Sequence, residues 1–541
     1  MKTNIHYNKV KALAFLPFYL FTFLLLASCD DYLTEESKSS LNTDNFYQTD
    51  ADKDQALTGV YGCLKPLSTY YFAMSELRSD NMFEIQEAKA NAYADCSQFN
   101  TSALLNNSIV ANCWANYYTL IASANTLLDH NPSTQVTAEA RFLRGLAYFD
   151  LVRFFGHVPV SLHELAPAES FSLKQSEVAD VYKNVIVPDL RYAVDNLTDV
   201  ATDYLGNTHT ERATKTAAKA LLGKVYLTMA GYPLNDETKK DSAQILFHDV
   251  LQSAGALTGT PTKYWAKTSD EWNRMWLHEN DNKYFIFEIQ YICDKNQGNP
   301  MTPLTRTSNT QADAYCNGNL TVGPHVYIDR DLQQHFLDTI SSNEFVDKRT
   351  TGTINMAMTY DEETGTYIGG AQDANNFLVK FFENKIKRAN LGVSDMDATI
   401  VDRTYWPQNF PLIRLEDIML LYAECVGPTD EGYNCLNQIR TRAGLQALSG
   451  LSNDAFQQAV KNERRYELLG EGQRWFDEVR QNTFVNDLRT EFINYRDNYD
   501  AAHSSVYTTY ANRVNQNMYL YPIPLGQMEV HEGLYTQNPG Y

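Results

Sequence analysis

Apolar residues recur at intervals of three and four along most of the chain, a period that predicts a succession of amphipathic helices. Ala51 to Lys65 reads as the first, with Ala56, Val60, Tyr61 and Leu64 on one side and Pro66 as its stop. Ala111 to Asp129 follows, with Trp114, Tyr117, Tyr118, Ile121 and Leu128 at helical spacing, and Asn131-Pro132-Ser133 ends it. The strongest helical pattern runs from Ala138 to Phe155 and is closed by Gly156 and Pro159. Val178 to Asn196 supplies a partner in which Pro188 predicts a kink or a break. Thr214 to Ala230, Leu415 to Val426, Glu431 to Arg442, Ala455 to Leu469 and Gln473 to Val479 continue the series.

A repeat is visible inside these helices. Leu222-Gly223 with Tyr226, then Ala243 and Phe247, match the tetratricopeptide pattern, although the connection between them is longer than its consensus. Gly145 and Tyr148 give the same small-to-tyrosine spacing, with Arg144 where Leu is expected, and Tyr422 takes the tyrosine place in a later pair. The small residue lets the second helix approach and the aromatic fills the next groove. Three related copies and a fourth pair, Ala455 to Leu469 with Gln473 to Val479, predict a mainly α, tetratricopeptide-like helical-repeat scaffold over about 51–254 and 412–480.

Gly255 to Pro411 has a different texture. It holds Trp265, Trp272 and Trp276, a β-like run from Tyr284 to Tyr291, a second β-prone segment at Asn376 to Glu383, and many Gly, Asn and Thr residues. A similar irregular passage follows Glu76-Leu77-Arg78-Ser79-Asp80-Asn81 as far as Asn107. Long polar loops studded with aromatics, carried on a rigid scaffold, are where binding is expected.

The N-terminus changes the picture of where the chain works. Lys2, Lys9 and Lys11 precede an apolar stretch from Ala12 to Ala27, and Leu26-Ala27-Ser28-Cys29 has the form of a lipoprotein processing box. The expectation is a signal peptide over 1–28 and lipidation of Cys29. A spanning helix is the competing reading, but Pro17 interrupts the run and Asp30-Asp31 follows it without a basic stop-transfer cluster.

The formal net charge is −21, which repels phosphate backbones and anionic lipid and so disfavours nucleic-acid binding. Beyond Cys29 lie Cys63, Cys96, Cys113, Cys293, Cys316, Cys425 and Cys435, with no CxxC pair. Export permits disulfides, and spacing leaves Cys96 with Cys113 and Cys293 with Cys316 open as pairs. Most of these cysteines read as buried thiols acting as small apolar groups.

Catalytic signatures are missing: there is no Walker loop, dinucleotide fingerprint, HExxH or GxSxG. His325 and His335 with Asp329 and Asp331 are poorly spaced for a metal and read as a loop and a helix start. Glu463 and Glu467 lie one turn apart like a carboxylate pair. Arg464, Arg465 and Arg474 sit among them, which favours a structural ion-pair role at the two-glycine corner Gly470–Gly472. No catalytic residue, metal or cofactor is expected.

Several ordered stretches resemble the SusD/RagB family. They are the run from Arg141 to Pro159, Ala217 to Leu227, Arg414 to Glu424, Glu463-Arg464-Arg465 with Arg474-Trp475-Phe476-Asp477, Tyr521-Pro522-Ile523-Pro524, and Gln537 to Tyr541. The resemblance spans essentially the whole chain after Cys29. It implies a single SusD-like α/α superhelical body over 29–541, ending in an extended motif at 519–541, lipid-anchored on the outer face of the outer membrane. It also implies a partner, a TonB-dependent SusC-like barrel that the lipoprotein covers as a lid, and no enzymatic step. Its commonest ligand class is glycan; capture of peptide, or a lid with negligible affinity of its own, are the alternatives. By position, the candidate ligand contacts are Arg78, Asp80, Tyr93 and Phe99 after Glu76, and Tyr264, Trp265, Tyr291 and Tyr315 in the later loops. Sugar C–H faces stack on flat aromatics while hydroxyls need directional polar partners. Core packing is the competing explanation for each aromatic.

Overall fold

Side-chain caps decide where the predicted helices begin. In the computed structural model, Asn107 accepts hydrogen bonds from the Ile109 and Val110 N–H groups, so helix α2 starts at Ser108 rather than Ala111 and runs to Asp129. Ser133 caps Val136 in the same way and starts α3 at Thr134, ending at Phe155. The structure describes residues 46–84, 92–277, 283–294, 297–301, 326–338, 345–355, 359–361, 366–368, 377–378, 380–381 and 407–541. Cys29, Tyr315, Cys316 and His325 lie outside them.

Helix α1 covers Asp50–Gly62. Beyond α3 come α4 (Val187–Asn196), α5 (Lys215–Ala230), α6 (Lys239–Ala254), α7 (Arg330–Leu337), α8 (Leu415–Val426), α9 (Asp430–Arg442), α10 (Asn453–Glu467), α11 (Arg474–Arg480), α12 (Phe484–Asn494), α13 (Ser504–Arg513) and α14 (Leu525–Val530). Of the kink or break expected at Pro188, the break does not occur. The helical path runs unbroken from Val178 to Asn196, and a π-helical turn, Tyr182–Ile186, immediately ahead of α4 loosens the hydrogen-bond ladder where Pro188 lacks an N–H.

The repeat helices pack in sequence: α2 on α3, α3 on α4, α4 on α5, α5 on α6, α6 on α8, and α8 on both α9 and α10. Glycine contacts explain the close approaches. A Cβ on Gly223 would lie 2.5 Å from Phe247 Cε1, and one on Gly145 would lie 3.1 Å from Leu190 Cδ2. The tetratricopeptide spacing therefore marks contacts between α5 and α6 and between α3 and α4.

The β-like run becomes strand Phe285–Ile289, paired antiparallel with Phe410–Arg414 immediately before α8, and every residue of both is buried. Burial on both faces explains its unbroken apolar character. In the second β-prone segment, Phe377–Leu378 pairs with Ile354–Asn355; Lys380 and Phe381 are buried, and its other residues lie outside those described.

Lys53–Tyr541 clusters as one unit. Within it the C-terminal residues return to the first half. The Tyr521 N–H and O–H donate to the Phe154 and Met74 carbonyls, and the Asn538 amide donates to the carbonyls of Phe155 and Tyr521. Cys96 and Cys113 are both buried thiols rather than a disulfide, and burial pushes the Cys113 thiol up.

Candidate functional site

Five of the candidate ligand contacts are interior. Arg78 is fully buried, its guanidinium carbon 4.1 Å from the Tyr521 ring centre and 4.4 Å from that of Phe99, with Trp475 at 5.3 Å. Its N–H groups donate to the Met518 carbonyl at 2.9 Å and the Cys96 carbonyl at 3.2 Å. Asp80 takes a two-pronged hydrogen bond from Arg474, at 2.7 and 2.6 Å. Burial alone would raise its carboxyl, but Arg465 and Arg474 more than reverse this and hold it below the usual carboxylate range. Trp265 lies beneath the Arg442 guanidinium at 4.3 Å, and the buried Tyr291 hydroxyl donates to the Lys65 carbonyl at 2.6 Å.

These side chains pack and brace the body, and their polar groups are taken up by the contacts just described. Arg78 and Phe99 come together; Trp265 and Tyr291 join other contacts. Tyr93 and Tyr264 are half-buried.

The stretch after Glu76 does other work. Glu76 accepts from the N–H groups of Gly470 (2.8 Å) and Gly472 (2.9 Å), bracing the two-glycine corner after α10. The corner's ion pairs exist, but with partners other than the neighbouring arginines. Glu467 accepts from Arg349, Arg414 and Arg442 and from the Trp272 indole, at 2.7 to 3.0 Å. Glu463 pairs with Arg349 and Arg440. Arg464 instead pairs with Asp417 and Asp477, and Arg465 with Asp80 and Asp329. Burial would raise Glu467, but the three arginines hold it well below the ordinary range, which is the reverse of a working general acid.

Asp80, Glu478 and Asp487 could each offer an oxygen to one metal ion. Arg474 already contacts all three, at 2.6, 3.0 and 3.7 Å, so its guanidinium supplies the positive charge there. His335 is likewise engaged by Asp347 at 2.8 Å, while Asp329 caps α7 through the Leu332 N–H.

A concavity among the described residues lies elsewhere. A cleft of about 530 Å3 opens between α2, the loop 159–173 and the segment that follows α14. One stripe of α2 lines it with Trp114, Tyr118, Ile121 and Asn125, while Tyr117 points to Asp150 in the core. Trp114 and Tyr118 lie 5.0 Å apart. On the C-terminal side His531 stacks on Tyr535 at 4.2 Å and 13°, and Phe171 stands 6.4 Å from His531.

The loop is fixed in place. Asn125 donates to the Ser161 and His163 carbonyls, Tyr118 to the Pro159 carbonyl and Tyr148 to that of Ser161. Arg144, held by Asp189 at 2.7 and 2.9 Å, in turn orients Asn125 at 2.7 Å. Arg144, the departure from the repeat consensus, is thus the brace of this loop. Sequence reasoning passed over the cleft because its far wall, His531 and Tyr535, is 413 or more residues from Tyr118 and forms no motif. The available signal was the Trp114-Tyr118-Ile121-Asn125 stripe, offset from the core stripe of the same helix.

Comparison with known proteins places this architecture. A model described as SusD family matches residues 283–541, and one described as starch-binding associating with outer membrane matches 31–227. A SusD-like protein of Bacteroides ovatus is 26% identical over 514 residues, covering 88% of this chain and 83% of its own. SusD-like protein P38 of Formosa agariphila is 23% identical over 511 residues, covering 88% and 93%. Among solved structures, a SusD homologue from Bacteroides thetaiotaomicron aligns over 94% of this chain and 100% of its own, with a TM-score of 0.75 and 23% identity. A laminarin-binding SusD-like protein aligns over 91% and 99% (TM-score 0.65, 24% identity), and surface glycan-binding protein A of Bacteroides fluxus over 91% and 100% (0.66, 23%). Family models thus meet the chain in both its halves and the helical-repeat body is shared along nearly all of its length: the chain belongs to the SusD/RagB family.

Proposed function

We propose that this protein captures glycan at the cell surface and delivers it to a TonB-dependent, SusC-like barrel for which it serves as the lid. The observation that carries this reading is the fold shared over 91% of the chain with proteins named for laminarin binding and surface glycan binding. The match to a family model described as associating with the outer membrane supports the location, with Cys29 as the lipid-bearing residue. Capture needs no chemistry on the sugar, and the clustered acids that could serve catalysis are locked by arginines. Of the aromatics placed in the loops, Tyr93, Tyr264 and Tyr315 are the proposed stacking contacts.

Calorimetry of the chain from Asp30 onward against a panel of oligosaccharides and peptides tests the reading. Saturable binding of an oligosaccharide is expected. Binding of peptides alone would replace glycan with peptide as the cargo. Affinity purification from the parent membrane should bring down a barrel of the SusC type; recovery of the lipoprotein alone would remove the lid role.

A further inference from the structure

We propose that the cleft between α2, the loop 159–173 and the residues after α14 is a binding subsite for an uncharged sugar segment. The proposal rests on the glycan-capture reading and adds to it a place and a charge class.

Its volume of about 530 Å3 falls within the roughly 300–1,000 Å3 typical of ligand sites. Its walls carry aromatic faces on both sides, Trp114 and Tyr118 on α2, and Phe171, His531 and Tyr535 opposite. Flat faces on two sides suit a pyranose ring, whose C–H surfaces stack while its hydroxyls point along the cleft. Phe171 is 57% exposed and Val530 is 53% exposed at the rim, an apolar edge left open to solvent.

A second observation points to a polar occupant. His531 is 93% buried, lines the cleft, and its Nδ1 has no hydrogen-bond partner among the described residues. Such a nitrogen costs free energy when left unsatisfied; it is itself closed off from solvent, so a hydroxyl that can both donate and accept meets it, in either tautomer, once the imidazole turns toward the cleft. The loop that forms one wall is already ordered by Asn125, Arg144 and Tyr148, so a ligand does not have to order it on entry.

The charge class follows from the lining. Among the described residues no lysine or arginine lines the cleft, the Glu164 carboxylate stands at it, and His163 is paired with Asp129 at 2.8 Å. Uronate or sulfated sugars would meet a carboxylate with no compensating cation.

The test is calorimetry of the chain from Asp30 with hexasaccharides of glucose, xylose and mannose and with an oligogalacturonide, for the parent chain, Phe171→Ala and His531→Gln. Phe171 is exposed, so its removal leaves the fold intact, with an unchanged Tm as the control. At least one neutral hexasaccharide is expected to bind, both variants to weaken it tenfold or more, and the oligogalacturonide to bind at least tenfold more weakly. Parent-like affinity in both variants would place the glycan elsewhere and overturn the cleft while leaving glycan capture standing. Equal affinity for the oligogalacturonide would overturn the charge class. Failure of the parent chain to bind any sugar, with or without binding of an apolar peptide, would remove glycan capture itself and this subsite with it.

Discussion

Glu467 shows how little of a buried charge network neighbouring residues reveal. The stretch Glu463 to Arg474 displays its acids and bases together, and the structural role it suggests is the one the geometry supports. The partners, however, arrive from Arg349, Arg414 and Arg442, which nothing in the local spacing indicates. Three guanidiniums and an indole N–H converge on one carboxylate, all out of contact with water. Removing its charge takes away the carboxylate the three arginines share and leaves them only Asp347, Glu463, Glu416 and Glu471, and breaking a buried pair in this way costs up to about 3–5 kcal/mol. Glu467→Gln should therefore lower the urea midpoint sharply, with the corner at Gly470–Gly472 the first region to lose hydrogen-exchange protection. An unchanged midpoint would show that the arginines find other partners. Arg78 follows the same logic: an arginine in an irregular passage reads as a ligand contact, yet its charge is spent on the Tyr521 and Phe99 rings and on backbone carbonyls. Position in a loop-like stretch says nothing about depth.

Helices were the most legible elements because their apolar period is long and their caps are local. Starts moved by three or four residues where Asn107 and Ser133 cap earlier than the first apolar position. The spacing of Gly223 and Tyr226 carried physical content as well, since Gly223 faces the Phe247 ring. Gly223→Ala gains about 1 kcal/mol of helix propensity, but forces a methyl within 2.5 Å of a fully buried ring. Overpacking typically costs about 1–3 kcal/mol, so a net loss is expected, read as a lower Tm. A paired Gly223→Ala, Phe247→Leu variant should recover part of it. The cleft was illegible at this scale, because a site assembled from one face of α2, a loop and the chain's last residues has no signature in any one of them.

For the molecule as a whole, the buried carboxylates set the pH response. Burial raises and arginines lower Asp347, Asp477 and Glu467, with a net depression in each, and Lys224 and Arg464 do the same for Asp417. A depressed folded value means stability that is fully present above the unfolded value of about 4 and is lost as pH falls below it. Glu139 runs the other way: burial raises it to about 7, so the folded chain holds a proton there that the unfolded chain releases above about pH 4.5. Its contribution falls as pH rises from about 4.5 to 7. The urea midpoint should collapse below pH 4 and, between pH 5 and 7, decline more steeply in the parent than in Glu139→Gln. An identical slope in the two would contradict this assignment. Anchoring belongs to this scale too. Cys29→Ala should move the protein out of the membrane fraction, and its persistence there would count against the lipid.

The return of the last residues to the first half has a consequence for folding. Arg78, Met74 and Phe154 find their carbonyl or donor partners in Met518, Tyr521 and Asn538's neighbourhood, more than 350 residues later. Contacts so distant along the chain close slowly, because a long loop must be ordered first. The first half therefore folds with an open seam, and the segment from Met518 to Asn538 acts as the fastener that closes it. Tyr521→Ala should leave Arg78 without one ring of its cage and make the chain more susceptible to proteolysis.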